Sequence, residues 1–86
     1  MMNVDVLKTL QIKISQQGDE QAFGQLYAIC MPYLFRFSKT ILKNQELAEE
    51  VVSDIFIKIW QNRAEIGKIE NFKLYLYISV KNTALN

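Results

Sequence analysis

The sequence has no histidine, one cysteine, one proline and three glycines. The lack of histidine removes the commonest metal ligand and the commonest general base. With Cys30 alone, no internal disulfide and no paired-thiol zinc site can form, and a Cys–His nucleophile pair is excluded. Gly18, Gly24 and Gly67 stand apart, so no glycine-rich loop cradles a phosphate. So few turn formers exclude an all-β chain built on many tight turns. No basic segment followed by an apolar run opens the chain, so no export signal is visible. No stretch approaches the ~20 apolar residues of a membrane span, and no membrane insertion is expected. A lone thiol without an export signal points to the cytoplasm. Neither a metal nor a cofactor is expected. These absences lead away from an enzyme and towards a binding module.

What is present suits one small helical domain. The chain has 86 residues and half of them are hydrophobic, enough for a single core. In the first segment Val4, Leu7, Leu10 and Ile14 recur at helical spacing, which predicts an amphipathic helix from Val4 to Gln17. Gly18 is placed to end it and Asp19 to cap the next. The second helix is predicted over Asp19 to Leu42, with Phe23, Leu26, Tyr27, Cys30, Leu34, Phe37 and Ile41 as its apolar stripe. Pro32 inside it lacks a donor N–H and should kink or interrupt it. Lys43-Asn44 makes a short turn. The third helix runs from Gln45 to about Arg63, with Leu47, Ala48, Val51, Val52, Ile55 and Ile59 on one face. Ala64 to Glu70 reads as a linker around Gly67. Asn71 to Asn86 is rich in aromatic and β-branched residues and could form a strand. Helix is the better reading, because Leu74, Ile78 and Leu85 align on one side and no turn signal divides the segment. Phe23, Leu26, Leu34, Val52, Ile55, Leu74 and Ile78 are expected deep in a four-helix, all-α core. The segment ends at Asn86 without a C-terminal cap and reads as cut from a longer protein.

Charge is segregated. Glu46, Glu49, Glu50 and Asp54 form an acidic run, whereas in the C-terminal part Lys58, Arg63, Lys68, Lys73 and Lys81 outnumber Glu65 and Glu70. On the third helix the acids and Ser53 occupy the side opposite the apolar face. Acids early in a helix are also favoured by its dipole, so a plain solvated face accounts for the acids alone. It does not account for Ile57, which falls among them, or Trp60, which falls at their border. An apolar anchor inside a charged rim has the composition of a protein–protein hot spot. Glu50 and Asp54 are spaced i, i+4, but no third ligand or base accompanies them, so catalysis and metal binding are set aside.

The last helix carries a different polar face. Asn71, Tyr75, Ser79, Asn82 and Asn86 fall within an arc of about 80°. Amides can read base edges, tyrosine can stack on a base, and lysines such as Lys73 and Lys81, which lie off the arc, can hold phosphate. An ordinary solvated face, with Tyr75 and Tyr77 half-buried, is the alternative. A net charge of +1 is too small for tight non-specific DNA binding by this domain alone.

The run Ala48-Glu49-Glu50-Val51-Val52-Ser53-Asp54-Ile55-Phe56-Ile57-Lys58-Ile59-Trp60 resembles the region-two helix of extracytoplasmic-function (ECF) sigma factors. Ala22-Phe23 and Leu26-Tyr27 resemble that family's A-F-x-x-L-Y opening. Phe72-Lys73-Leu74-Tyr75-Leu76-Tyr77 with Lys81-Asn82 resembles its F-x-x-W-L-Y-x-I-A-R-N stretch. Ser53 and Asp54 stand where the family has glutamine and glutamate, Tyr75 where it has tryptophan, and Val80-Lys81 where it has alanine and arginine. The resemblance covers about Asp19 to Asn86. It implies an all-helical region 2 domain over residues 1–86 that binds RNA polymerase core at the β′ clamp helices. It also implies that the linker and last helix melt the minus-ten promoter element and capture a base of the non-template strand. Catalysis then belongs to the polymerase. The family's second domain, a helix-turn-helix for the minus-thirty-five element, is missing from these residues, so the resemblance implies a fragment, and an anti-sigma factor is a further partner it allows. The polymerase-facing set is Glu49, Glu50, Ser53, Asp54, Ile57 and Trp60. The DNA-facing set is Arg63, Lys68, Asn71 and Lys73, followed by Tyr75, Lys81, Asn82 and Asn86. A helical adaptor that never touches DNA is the competing reading.

Overall fold

The computed structural model describes residues 2–86, and five helices with no strand lie among the described residues. They are α1 (Val4–Gln17), α2 (Glu20–Leu42), α3 (Gln45–Gln61), α4 (Arg63–Ile66) and α5 (Phe72–Leu85). Helix starts are set by short polar side chains. Asn3 accepts from the N–H groups of Asp5 and Val6, Asp19 from Ala22, Asn44 from Leu47 and Asn71 from Leu74. Each satisfies N–H groups that the first turn leaves without partners. Gly18 ends α1 at φ 59°, a left-handed conformation that glycine adopts freely. Lys43 closes α2 in the same conformation, with φ 54°.

Two expectations about the elements are corrected. Helical geometry continues through Pro32, so of the expected kink or interruption it is the interruption that does not occur. The carbonyl it leaves without an N–H partner belongs to Ala28, and both residues are exposed, where water can satisfy it. The linker is also not wholly irregular. Asn62 closes α3, and Arg63–Ile66 forms the one-turn α4 with Ile66 buried.

Helix α2 is the centre of the molecule and packs against α1, α3 and α5. Leu26, Cys30 and Leu34 of α2 meet Val52, Ile55 and Ile59 of α3, Leu7, Leu10 and Ile14 of α1, and Leu76 and Val80 of α5 in a buried core. Aromatic edges join the helices. Tyr27 meets Phe56 at 5.0 Å between centroids, and Phe37 meets Tyr77 at 5.1 Å.

Four of the seven core residues expected from sequence are buried: Leu26, Leu34, Val52 and Ile55. Phe23 is half-buried, packing on Phe56 and Trp60 at the edge of the core. Leu74 and Ile78 are 53% and 46% exposed, and Leu85, Leu47 and Val4 are exposed too. The cause in α5 is an ambiguous pattern. Residues 72, 74, 76, 78 and 80 are all apolar, so both sides of the helix offer hydrophobic surface. The side through Leu74 and Ile78 continues to Lys81, whose charge would be buried with it. The side through Phe72, Leu76 and Val80 continues to Thr83 and Ala84, and that side faces the core.

Candidate functional site

The solvent side of α3 is an acidic ridge. Glu46, Glu49, Glu50 and Asp54 are exposed along it, and Ser53 is half-buried. Among the described residues the one ion pair is Lys68–Glu65, so none of the ridge acids is held in a direct ion pair there. Ile57 stands beside the acids with 54% of its surface in solvent. On one flank of the ridge lies an open, mainly apolar groove of about 490 Å³, formed by Phe23 and Tyr27 of α2 with Ser53, Phe56, Ile57 and Trp60 of α3. On the other flank a groove of about 300 Å³ places Glu50 and Asp54 with Leu47, Val51 and the last turn of α5. Thus Ser53, Ile57 and Trp60 share the aromatic groove, Glu50 and Asp54 share the second, and Glu49 lines neither.

Trp60 is held from two sides. Its ring lies 5.0 Å from Phe23, and the Arg63 guanidinium sits 4.5 Å from its centroid. Arg63 Nη1 also donates to the Trp60 carbonyl at 2.8 Å. That bond satisfies a carbonyl at the end of α3 and places a cation where the helix dipole favours one. Arg63 therefore orders the Trp60 ring, and this is the residue that the sequence places first in the DNA-facing set.

The α3–α5 connection is tied to α1. Gln11 Nε2 donates to the carbonyls of Ile66 and Ile69 at 2.6 and 2.8 Å, and Ser15 Oγ donates to the carbonyl of Ala64 at 2.9 Å. A Cβ on Gly67 would lie 2.6 Å from Ser15 Oγ, so only glycine lets the loop approach α1 this closely. Lys68 Nζ pairs with Glu65 Oε2 at 2.8 Å, and that bond pushes the lysine pKa up. Sequence reasoning missed Gln11 and Ser15, because their partners are backbone carbonyls about fifty residues away and leave no pattern.

On α5, Asn71, Lys73, Lys81, Asn82 and Asn86 are exposed. Asn71 Oδ1 is occupied by the Leu74 N–H at 3.1 Å, so it serves the helix start. Tyr75 is 38% exposed and stacks nearly parallel on Phe72, with 5.8 Å between centroids. Its phenyl face is therefore outside the main core. Ser79 Oγ is engaged by the Tyr75 carbonyl at 2.8 Å. Lys73 lies away from the amide arc, in a groove with Val4, Leu7, Lys8 and Gln11. Leu74, Ile78 and Leu85 form an exposed apolar strip between that arc and Lys81.

Among the described residues no three metal-ligating side chains cluster, and no helix is long and apolar enough to cross a membrane. Residues 26–86 match the Sigma-70 region 2 family. The chain belongs to that family. No curated protein and no solved structure matches the chain. Membership makes this a sigma-factor domain, with a role in binding RNA polymerase and recognising promoter DNA. The match takes in α3, α4, α5 and most of α2, and so both faces described above. Helix α1 lies outside the matched residues but shares the core through Leu7, Leu10 and Ile14.

Proposed function

We propose that the two faces divide the work of a region 2 domain of the ECF type, acting in the cytoplasm where polymerase and promoter meet. Helix α3 meets the β′ clamp helices of RNA polymerase core through Glu49, Glu50, Ser53, Asp54, Ile57 and Trp60. The loop after α4, with α5, engages the non-template strand of the minus-ten element and helps to melt it. There Asn82 reads a base edge, Tyr75 offers a ring for stacking, and Lys68, Lys73 and Lys81 hold phosphates. An anti-sigma protein would have the apolar groove beside Ile57 as its seat. Residues 1–86 act as one domain, with α1 included.

The observation that carries this reading is the exposed acidic ridge, free of direct ion pairs among the described residues, with an exposed isoleucine in it. A basic partner surface would be steered to the acids, and an apolar side chain would be desolvated in the groove. Asn82 has free exposed donors and acceptors, which a base edge needs.

The test is holoenzyme assembly and promoter opening. The double variant Glu50→Lys, Asp54→Lys should lose about tenfold or more in polymerase affinity. Its stability should stay within about 0.5 kcal/mol of the parent, because both residues are exposed. Asn82→Ala should cost about 1–3 kcal/mol in promoter engagement and relax preference at one promoter position. Normal assembly by the first variant, or unchanged relative activity over single-base promoter variants by the second, would refute the corresponding half of the proposal.

A further inference from the structure

Gln11 and Ser38 are the buried polar side chains among the described residues. Gln11 is 4% exposed, and its amide nitrogen donates to Ile66 O and Ile69 O at 2.6 and 2.8 Å. An amide nitrogen has two hydrogens, so both are used. The carbonyls it binds flank Gly67 and Lys68. One turn along α1, Ser15 takes the Ala64 carbonyl at 2.9 Å. Helix α1 thus grips the connection by its backbone. The side chains of Lys68, Glu70 and Asn71 are left exposed.

We infer that Gln11 is a positioning residue for capture of the promoter strand: it fixes the path of residues 66–70 before DNA arrives. This rests on the reading above, that this loop and α5 handle the strand. A segment with two chain-reversing backbone turns has little stability of its own. Its internal bonds, Lys68 N–H to Glu65 O and Ile69 N–H to Ile66 O, are long at 3.1 and 3.2 Å. The two bonds from a buried donor are shorter than either. Without them the carbonyls must find water, and the segment opens to do so. A loop already held in its binding shape avoids that ordering cost when a strand docks. No contact between Gln11 and DNA is required. The segment that matches the family begins at residue 26, so this function is supplied from outside it.

The test pairs hydrogen exchange on the chain with open-complex formation by the chain and RNA polymerase core. Gln11→Met keeps the side-chain length and removes both donors. The amides of Lys68 and Ile69 should exchange about tenfold faster, while those of α3 are unchanged. Affinity for polymerase core should be unchanged, and open-complex formation should fall about tenfold, the loss of one to two such hydrogen bonds. Ile14→Val, a core change in the same helix, should lower global stability without either loop effect. If Gln11→Met fails to fold, Ser15→Ala gives a milder form of the same loop loosening and the same direction of promoter defect. Unchanged exchange at Lys68 and Ile69, or normal open complexes from a loosened loop, would overturn the inference. Asn82→Ala in the same assays separates the levels. If Asn82→Ala is inert over all promoter variants, the strand reading itself falls. If it acts while Gln11→Met does not, only the role of Gln11 falls.

Discussion

Cys30 shows how far a single residue can be read in advance. Its place on the apolar stripe of α2 implies a buried side chain, and it is a free, fully buried thiol. Burial pushes its pKa up to about 12, because the thiolate would lose its hydration. The folded pKa lies above the unfolded value near 9.0, so the folded protein holds the proton more tightly. Its contribution to stability is full below pH 9.0 and is lost as pH rises towards about 12. Thiol alkylation at neutral pH should therefore be slow in the native protein and become fast only on unfolding. Modification of Cys30 at the rate of a free thiol under native conditions would contradict this. Ser38 is the opposite case. It is fully buried with no hydrogen-bond partner for its hydroxyl, and nothing in the sequence marks that. Gln11 was equally hidden, since a glutamine on an apolar face looks like an interruption until its distant carbonyls are known.

At the scale of the element, helix ends were legible and helix phase was not always. Gly18 and Asp19 carry local chemistry for stopping and starting, and they occupy those positions. The phase of α5 depends on which of two apolar sides its neighbours cover, and that is a tertiary decision. A pair of substitutions tests it. Leu76→Ala should cost about 2–5 kcal/mol, whereas Leu74→Ala should stay within about 0.5 kcal/mol. Equal losses in denaturant titrations would mean that α5 is rotated from the position described. In α2, Gly24 is helical, exposed and has open space where a Cβ would go. Gly24→Ala should raise stability by about 0.5–1 kcal/mol, read as a higher unfolding midpoint. Gly67→Ala should lower it, since the added methyl meets Ser15.

Across the whole molecule, charge and stability are largely separate. The core is apolar, and the single ion pair among the described residues is exposed. Raising salt to roughly 1 M, where the Debye length is about 3 Å, should shift the melting temperature little. The same change should weaken polymerase and DNA binding strongly, because both proposed faces act through charge. A melting temperature that fell as steeply as binding would show that the ridge and the basic half stabilise the fold. The all-helical architecture was legible because the first three segments each carry a helical apolar period and clear end signals. The exposure of Ile57 and of the α5 amides was legible because these residues break the expected surface pattern. How the faces are joined was not, since α4, Arg63 on Trp60, and the grip of α1 on the loop are contacts between distant segments.

That grip also orders events in time. Gln11 is made early, and the carbonyls it binds follow 55 and 58 residues later. On a ribosome adding roughly 5–20 residues per second, its amide waits several seconds for its partners. Helices α1 and α2 can pair meanwhile through contacts near in sequence, but the loop cannot take its final shape until the start of α5 has emerged. The loop and α5 are thus the last part of the domain to mature, and a nascent chain that has not finished folding presents its acidic helix before it presents a formed loop.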